Sequence, residues 1–279
     1  MMNAVNSTAF KRALLIAPLP LLLALLYGLP LAGVIGWSVT LPTPGLEQYR
    51  QVVTDPSIRD MLLRTLRLCL SSTVLAVAIG YLLSYCWVFA SRPWQRVVEI
   101  AVFVPMWISV LVRAFGWLIA LGNEGILNTL LMSVGLIHGP VQMTRNEFAV
   151  VVGMVHFMVP YAVFPLSSSM RQIDRRTLLA ARGLGAGGLR TFWAVLVPQT
   201  LPGLLGAFLI VFVFCLGFFI TPAILGGGQT TMIAEYVYLQ MFQTNNWGLG
   251  AALSVVLLAF IGLMAALLMW ASRVNKLVR

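Results

Sequence analysis

An all-α polytopic membrane protein is the fold class that the sequence predicts, and three observations predict it. Of the 279 residues, 60% are hydrophobic and 9% charged, with a mean hydropathy of +0.93. A water-soluble domain cannot carry that balance, because its surface has to be solvated. Six apolar runs are each long enough, at about 1.5 Å per residue, to cross roughly 30 Å of hydrocarbon. The basic residues, finally, are sorted unevenly among the segments between those runs. The net charge of +10 is therefore read as topological bias rather than as an affinity for nucleic acid. Cys69, Cys86 and Cys215 are scattered through apolar runs without ligand spacing, and read as packing or lipid-facing residues with no metal site.

Lys11 and Arg12 precede the first run, Leu14 to Trp37. It is longer than a signal-peptide core and lacks a small-residue cleavage site, so it is read as a retained span running outward, with residues 1–12 cytoplasmic. Pro42, Pro44, Gly45, Asp55 and Pro56 mark turns on the outer face. Met61 to Ala90 is the second span. Asp60 and Arg64 stand at i,i+4 at its outer end and are expected to pair, while Arg67 is expected to snorkel outward. The basic turn Ser91-Arg92-Pro93-Trp94-Gln95-Arg96 is cytoplasmic. Val97 to Leu121 is the third span and carries Pro105 and Arg113 within the apolar run. An arginine at mid-membrane costs about 2.5–3.5 kcal/mol on insertion scales, so Arg113 either faces a cavity or a partner acid, or snorkels from the outer end of a tilted helix.

The segment from Gly122 to Glu147 is too polar to span, and its apolar centre, Ile126 to Ile137, predicts a short helix on the outer surface. Phe148 to Leu166 is the fourth span. His156 within it reads as a neutral residue hydrogen-bonded between helices. Leu201 to Ile220 and Leu249 to Trp270 are the fifth and sixth spans. Between them, Gly226-Gly227-Gly228 reads as a flexible outer turn, since no lysine and no helix start follow as a phosphate cradle requires. With both termini inside, the cytoplasmic segments hold twelve basic residues and the outer segments five. The transmembrane domain is thus 13–272, with 273–279 a cytoplasmic tail.

The polar insert 167–200 is the most informative stretch. Five arginines, Arg171, Arg175, Arg176, Arg182 and Arg190, place it in the cytoplasm. Asp174 can cap a short helix through Leu178, Leu179, Ala180 and Ala181, whose small apolar face suits a groove on a partner. Arg182 closes the helical run, Gly183 and Gly185 end it, and Gly187-Gly188 permit a sharp turn. From Leu189 a helical pattern continues through Pro198 and Pro202 into the fifth span, so force on one helix moves the other. The two lysines, Lys11 and Lys276, follow no glycine-rich loop, which excludes a Walker A site on this chain.

LAARGLG followed by Val195, Val197 and Pro198 resembles the EAA loop of binding-protein-dependent ABC importer permeases. That pattern is Glu-Ala-Ala, three residues, Gly, nine residues, Ile, one residue, Leu-Pro. Ala180, Ala181, Gly185 and Pro198 match it in register, Val195 and Val197 replace conservatively, and Leu179 stands where the family has glutamate. From about residue 46 to 260 the chain is similar to the spermidine/putrescine branch, through VPMWISVLVRAFGWLIALGNEGILN, Ile173-Asp174, LGAGGLRTFWAVLVPQTLPG and TPAILGG. Asn246-Trp247-Gly248 and Gly250-Ala251-Ala252 extend the likeness.

The resemblance implies the type I importer permease fold in a bacterial inner membrane. It implies a second homologous permease, two ATPase subunits holding ATP and Mg, and a periplasmic solute-binding protein, with no catalytic residue, cofactor or nucleic acid on this chain beyond its lipid surroundings. The coupling helix of such a permease would comprise Asp174, Leu178 to Gly183 and Gly185, leading to Pro198.

A polyamine would call for carboxylates and aromatic faces, and the candidate pathway is Arg113, Trp117, Glu124, Glu235, Tyr236 and Trp247. Opines, phosphonates, thiamine and ferric iron remain alternative solutes, and Arg113 would suit an anionic group. An ion-coupled secondary transporter would need a membrane-embedded acid or broken helices in matching halves; the one acid near a span is Glu99, at its edge.

Overall fold

The computed structural model describes residues 17–277, with side chains to residue 267. Lys11, Arg12, the side chains of Arg273 and Lys276, and Arg279, on which the orientation partly rests, lie outside the described residues, as does the predicted start of the first span at Leu14. Every regular element among the described residues is helical. Five helices are long and apolar enough to cross a bilayer, and a sharply bent pair makes a sixth when taken as one broken span.

The chain divides into two compact units. The first takes in residues 17–55 and Val237–Phe260. It holds α1 (Pro18–Thr40) and α2 (Glu47–Thr54), and α1 exposes its leucines on all sides. Ser38 and Tyr49 join the two helices through a 2.7 Å hydroxyl pair. Trp37 and Phe242 both meet the Trp247 ring edge-on, with centroids 5.6 and 5.4 Å away. Gly248 lies against the Leu41 carbonyl, where a side chain would collide with backbone.

The second unit contains α3 (Pro56–Phe89), α4 (Arg92–Met106), α5 (Val110–Ala120), α6 (Ile126–Ser133), α7 (Glu147–Arg171), α8 (Arg175–Gly183) and α9 (Gly188–Leu216). It continues with α10 (Ile220–Leu225) and most of α11 (Ile233–Tyr238), whose last two residues belong to the first unit. The last helix, α12 (Trp247–Leu277), begins in the first unit and ends in the second.

The core of the second unit is α3, α7 and α9. Apolar burial alone does not hold helices together in lipid, so close approach at small residues and buried polar contacts do the work. Gly80 of α3 sits against Ala162 of α7, Gly203 of α9 against Ser169 and the Pro165 carbonyl, and Gly153 of α7 against Thr221 and Leu225. Ser84 donates to the Val163 carbonyl at 3.2 Å, and the Tyr81 and Thr200 hydroxyls pair at 2.9 Å. A Cβ at Gly80 would lie 2.8 Å from that of Ala162. Gly80→Leu is therefore expected to destabilise the fold by about 1–3 kcal/mol, read as a lower melting temperature of the purified protein. Gly28→Leu, on the open face of α1 with nothing within 4 Å, is expected to leave it unchanged.

Several expectations need correction. The second span opens at Pro56, and Asp60 and Arg64 do not pair. Asp60 lies 3.9 Å from Arg59 Nε. Arg64 lies 3.8 Å from Glu147 and donates to the Gln229 carbonyl at 3.1 Å. Arg67 does not reach into open solvent alone but donates to both Glu147 oxygens, at 2.5 and 2.7 Å. The cause is tertiary: the first turn of α7 brings a carboxylate between the two arginines, closer than Asp60 on their own helix.

The third span is not continuous. It breaks into α4 and α5, bent by 107°. Proline at 105 removes a backbone donor. The chain then tightens, with Trp107 and Ile108 donating three residues back to Val104 and Pro105, before Ser109 turns extended at ψ 143° and α5 restarts. The fourth span runs past its predicted end to Arg171 through Pro160 and Pro165. The fifth starts at Gly188 and ends at Leu216. The segment between the fifth and sixth spans holds α10, α11 and a π turn, Leu239–Gln243. Within it Gly227 and Gly228 do form a turn, with φ of +57° and +78°, against the Arg145 side chain. The short helix expected over Ile126 to Ile137 stops at Ser133.

Candidate functional site

Helix α8 has defined caps at both ends. Asp174 is the N-cap in extended conformation, and its carboxylate accepts from the Arg176 amide at 2.9 Å. At the other end Gly185 has φ +85° and donates to the Arg182 carbonyl, while the Ala186 amide reaches the Ala181 carbonyl at 3.1 Å. This is the Schellman closure, in which the residue past the cap takes a left-handed conformation that glycine adopts without steric cost.

None of the α8 side chains is buried. Residues 176, 179, 180, 183 and 184 fall at i, i+3, i+4, i+7 and i+8 and are all exposed, so Leu179, Ala180, Gly183 and Leu184 make one open apolar stripe beside Arg176. Leu184 is 90% exposed and Leu179 64%. Leu178, Leu179 and Arg182 also border a cavity of about 330 Å³ beneath the helix, floored by Tyr85, Phe89 and Phe192.

Helix α9 begins just past this turn. Its first turn, Gly188–Thr191, is followed by a π segment, Phe192–Leu196, and then by α-helix from Val197. The wide turn falls where Pro198 has no amide to give and the Val197 amide bonds back to Phe192. The Phe192 ring meets Tyr81 and Tyr85 of α3 edge-on, at 5.6 and 6.0 Å. Arg175 donates to the Val88 carbonyl at 3.2 Å. A displacement of α8 is thus carried covalently into α9 and by contact into α3. Arg175, Tyr81 and Phe192 had no signal in the sequence. Arg175 counted only as a topology charge, and aromatics in an apolar run look like core.

The candidate pathway residues fall into separate places. Arg113 and Trp117, one turn apart on α5, line one crevice with Gly153, Phe157 and Thr221, too narrow to admit a water-sized group. The Arg113 guanidinium lies 4.0 Å over the Phe157 ring, and its Nε is buried with no hydrogen-bond partner among the described residues. Trp117 donates to His156 Nδ1 at 3.1 Å, which is the interhelical role expected of that histidine. Glu124 is exposed in the turn before α6, and Glu235 is buried on α11; neither lines the crevice. One Glu235 oxygen has no partner, and burial raises its pKa against the opposing effect of a backbone hydrogen bond from Met232. Tyr236 follows it, half-buried. Trp247 stands in the first unit in the aromatic group with Trp37 and Phe242. No cluster that could hold a metal ion occurs among the described residues. Phe157 was missed because one aromatic in a span carries no distinguishing pattern.

The family described as "binding-protein-dependent transport system inner membrane component" matches residues 72–278, most of the chain and all of α8 and α9. The chain belongs to this family. The permease is 33% identical to the spermidine/putrescine transport system permease protein PotB of Escherichia coli over 237 residues, covering 84% of this chain and 85% of that one. It is 30% identical to the PotB of Haemophilus influenzae, covering 84% and 80%. A putative 2-aminoethylphosphonate transport system permease, PhnU of Salmonella typhi, is 31% identical, covering 67% and 69%. Among solved structures, a bacterial ABC transporter involved in import of the acidic polysaccharide alginate superposes with a TM-score of 0.74 at 16% identity, covering 98% of each chain. At that identity the likeness speaks for the fold, which is that of ABC importer permeases. The permease is therefore a transporter subunit, multi-pass in a bacterial inner membrane.

Proposed function

We propose that this permease is the membrane subunit of an ATP-driven importer for a polyamine, working with a second homologous permease, two ATPase subunits and a periplasmic solute-binding protein. The ATP and magnesium belong to the ATPase partners. The observation that supports the reading best is the open apolar stripe of α8, capped by Asp174 and Gly185 and continuous with α9. A capped helix with no buried residue, joined through one short turn to a membrane helix, is the form a force-transmitting element needs.

Closure of the ATPase dimer would pull α8, carry α9 with it, and shift the second unit between inward-open and outward-open states. In this reading residues 1–12 and 273–279 and the loop 167–200 are cytoplasmic, and 13–272 form the permease domain. Leu178 to Arg182 with Gly183 make the docking element, and Pro198 marks where its continuation enters the bilayer.

Polyamine as solute rests on the similarity to the PotB proteins and on Glu235, a buried carboxylate with a free oxygen. Glu235→Gln is expected to raise the KM for spermidine roughly tenfold or more, the effect of exchanging a charged for a neutral hydrogen bond. The variant should not lower the melting temperature. Because burial raises the carboxyl pKa, the folded state is penalised as pH climbs from the ordinary carboxylate range through the raised value. Glutamine removes that penalty, and unchanged KM would take Glu235 out of the pathway.

A second reading is favoured by Arg113, whose Nε is buried without a partner: in a state of the transport cycle that opens the closed crevice around it, the guanidinium would suit a solute carrying an anionic group, such as a phosphonate. Isolating the assembled complex and identifying the ligand on its binding protein decides between them. A polyamine supports the first reading, and an anionic or zwitterionic ligand supports the second.

A further inference from the structure

A cavity of about 630 Å³ lies where α3 ends, α4 begins and α7 ends, apart from both the α8 stripe and the α5 crevice. Its walls include Trp87, Ser91, Arg92, Gln95, Arg171 and Arg175. Three arginines therefore border one space, and none of its lining residues is acidic. Among the described residues, none of the three arginines takes part in an ion pair.

Two of the three are held in place rather than free to disperse. Arg171 lies 4.8 Å over the Trp87 ring, and Arg175 is fixed by its bond to the Val88 carbonyl and lies 5.8 Å from the Phe89 ring. Three like charges around one cavity, two of them fixed, repel one another until an anion joins them, and guanidinium forks fit a phosphate in particular. The first turn of the 15-residue α4 opens at the same place. Its N-cap, Ser91, makes no side-chain cap bond, so that end adds unsatisfied amides to the positive field.

Depth in the bilayer identifies the source of the phosphate. Phe89, Arg92 and Arg171 are the terminal residues of three apolar helices, so the cavity sits at the boundary between hydrocarbon and water. From that boundary α4 exposes Trp94, Val97, Ile100 and Val104 along its length, an interfacial tryptophan followed by an aliphatic track. A soluble anion has no use for such a track, and an acyl chain does. We propose that this cavity binds the phosphate of an anionic phospholipid, such as phosphatidylglycerol, with an acyl chain along the exposed face of α4. The site is independent of which solute is carried. Because Arg175 belongs to α8, a bound headgroup would touch the element that the proposed function makes the driver.

The test uses the intact transporter assembly purified in mild detergent, with co-purifying phosphatidylglycerol and phosphatidylethanolamine quantified by mass spectrometry. The wild type is expected to retain phosphatidylglycerol preferentially. The pair Arg92→Gln and Arg171→Gln is expected to lose roughly tenfold of that enrichment, and lysine at both positions to keep most of it. Removing equal charge elsewhere, with Arg50→Gln and Arg59→Gln, should leave it unchanged. Equal enrichment in the wild type and the Arg92/Arg171 glutamine pair would overturn the proposal, as would an equal loss in the Arg50/Arg59 pair. Displacement of the lipid by millimolar inorganic phosphate would assign the site to a soluble anion instead and overturn it too.

Discussion

Gly185→Val is expected to cut ATP-driven uptake by tenfold or more while the protein still inserts in the membrane and assembles its core. Gly185 has φ +85° at the end of α8, and an added Cβ would meet nothing within 4 Å, so no side chain is displaced. The cost is in the backbone. A left-handed conformation costs an ordinary residue about 1–2 kcal/mol, and a β-branched one more. Relieving that strain means giving up the bonds from the Gly185 and Ala186 amides that close the helix, and the direction of the chain into α9 changes with them. About 1.4 kcal/mol corresponds to a tenfold change in the population of the competent geometry. Gly185→Asn, which tolerates the left-handed region better, should keep an intermediate rate. Equal uptake by the valine variant and the wild type, measured in proteoliposomes with matched protein content, contradicts a coupling role for this turn.

Leu184→Asp should be nearly as damaging, by a different route. At 90% exposure Leu184 contributes almost nothing to the fold of this chain, so the melting temperature of the isolated permease should not change. Burial of a leucine against a partner is worth about 1.5–3 kcal/mol, and a carboxylate forced into the same contact adds a desolvation cost. Recovery of the ATPase subunits with a tagged permease is therefore expected to fall roughly 10- to 100-fold. Leu179→Glu, which supplies the carboxylate of the EAA pattern, should assemble normally. Full ATPase recovery with Leu184→Asp would mean that the exposed stripe faces something other than the ATPase.

The elements legible in the sequence are those set by local rules. Asp174 as cap, a helix end at Gly183 and Gly185 and the restart of a helix before Pro198 are short-range stereochemistry, and the residues that carry it are adjacent. The second, fourth and sixth spans follow from apolar length alone. What the sequence could not display depends on distant partners. Glu147 lies 80 residues from Arg67, and no spacing on α3 announces that it displaces Asp60 as the partner of Arg64. Pro105 was visible inside the third span, but a proline fixes neither the angle of the break nor the side to which the chain turns, and here the bend is 107°. The π segment at Phe192–Leu196 moved the start of the fifth span thirteen residues ahead of the hydropathy edge, from Leu201 to Gly188. At the candidate pathway, Arg113 stood out as a charge in an apolar run, whereas its contact with Phe157 is set by the crossing of two helices.

On the proposed function, this permease is driven from outside itself, through α8, by ATP hydrolysed on another subunit. The most direct measurement is uptake of labelled spermidine into proteoliposomes holding the assembled complex, with the binding protein supplied and with ATP or a proton gradient as the only energy source. Uptake is expected to require ATP and the ATPase subunits, to survive a protonophore, and to fall roughly tenfold or more with Gly185→Val. Uptake that persists without the ATPase subunits and collapses when the proton gradient is dissipated would contradict it.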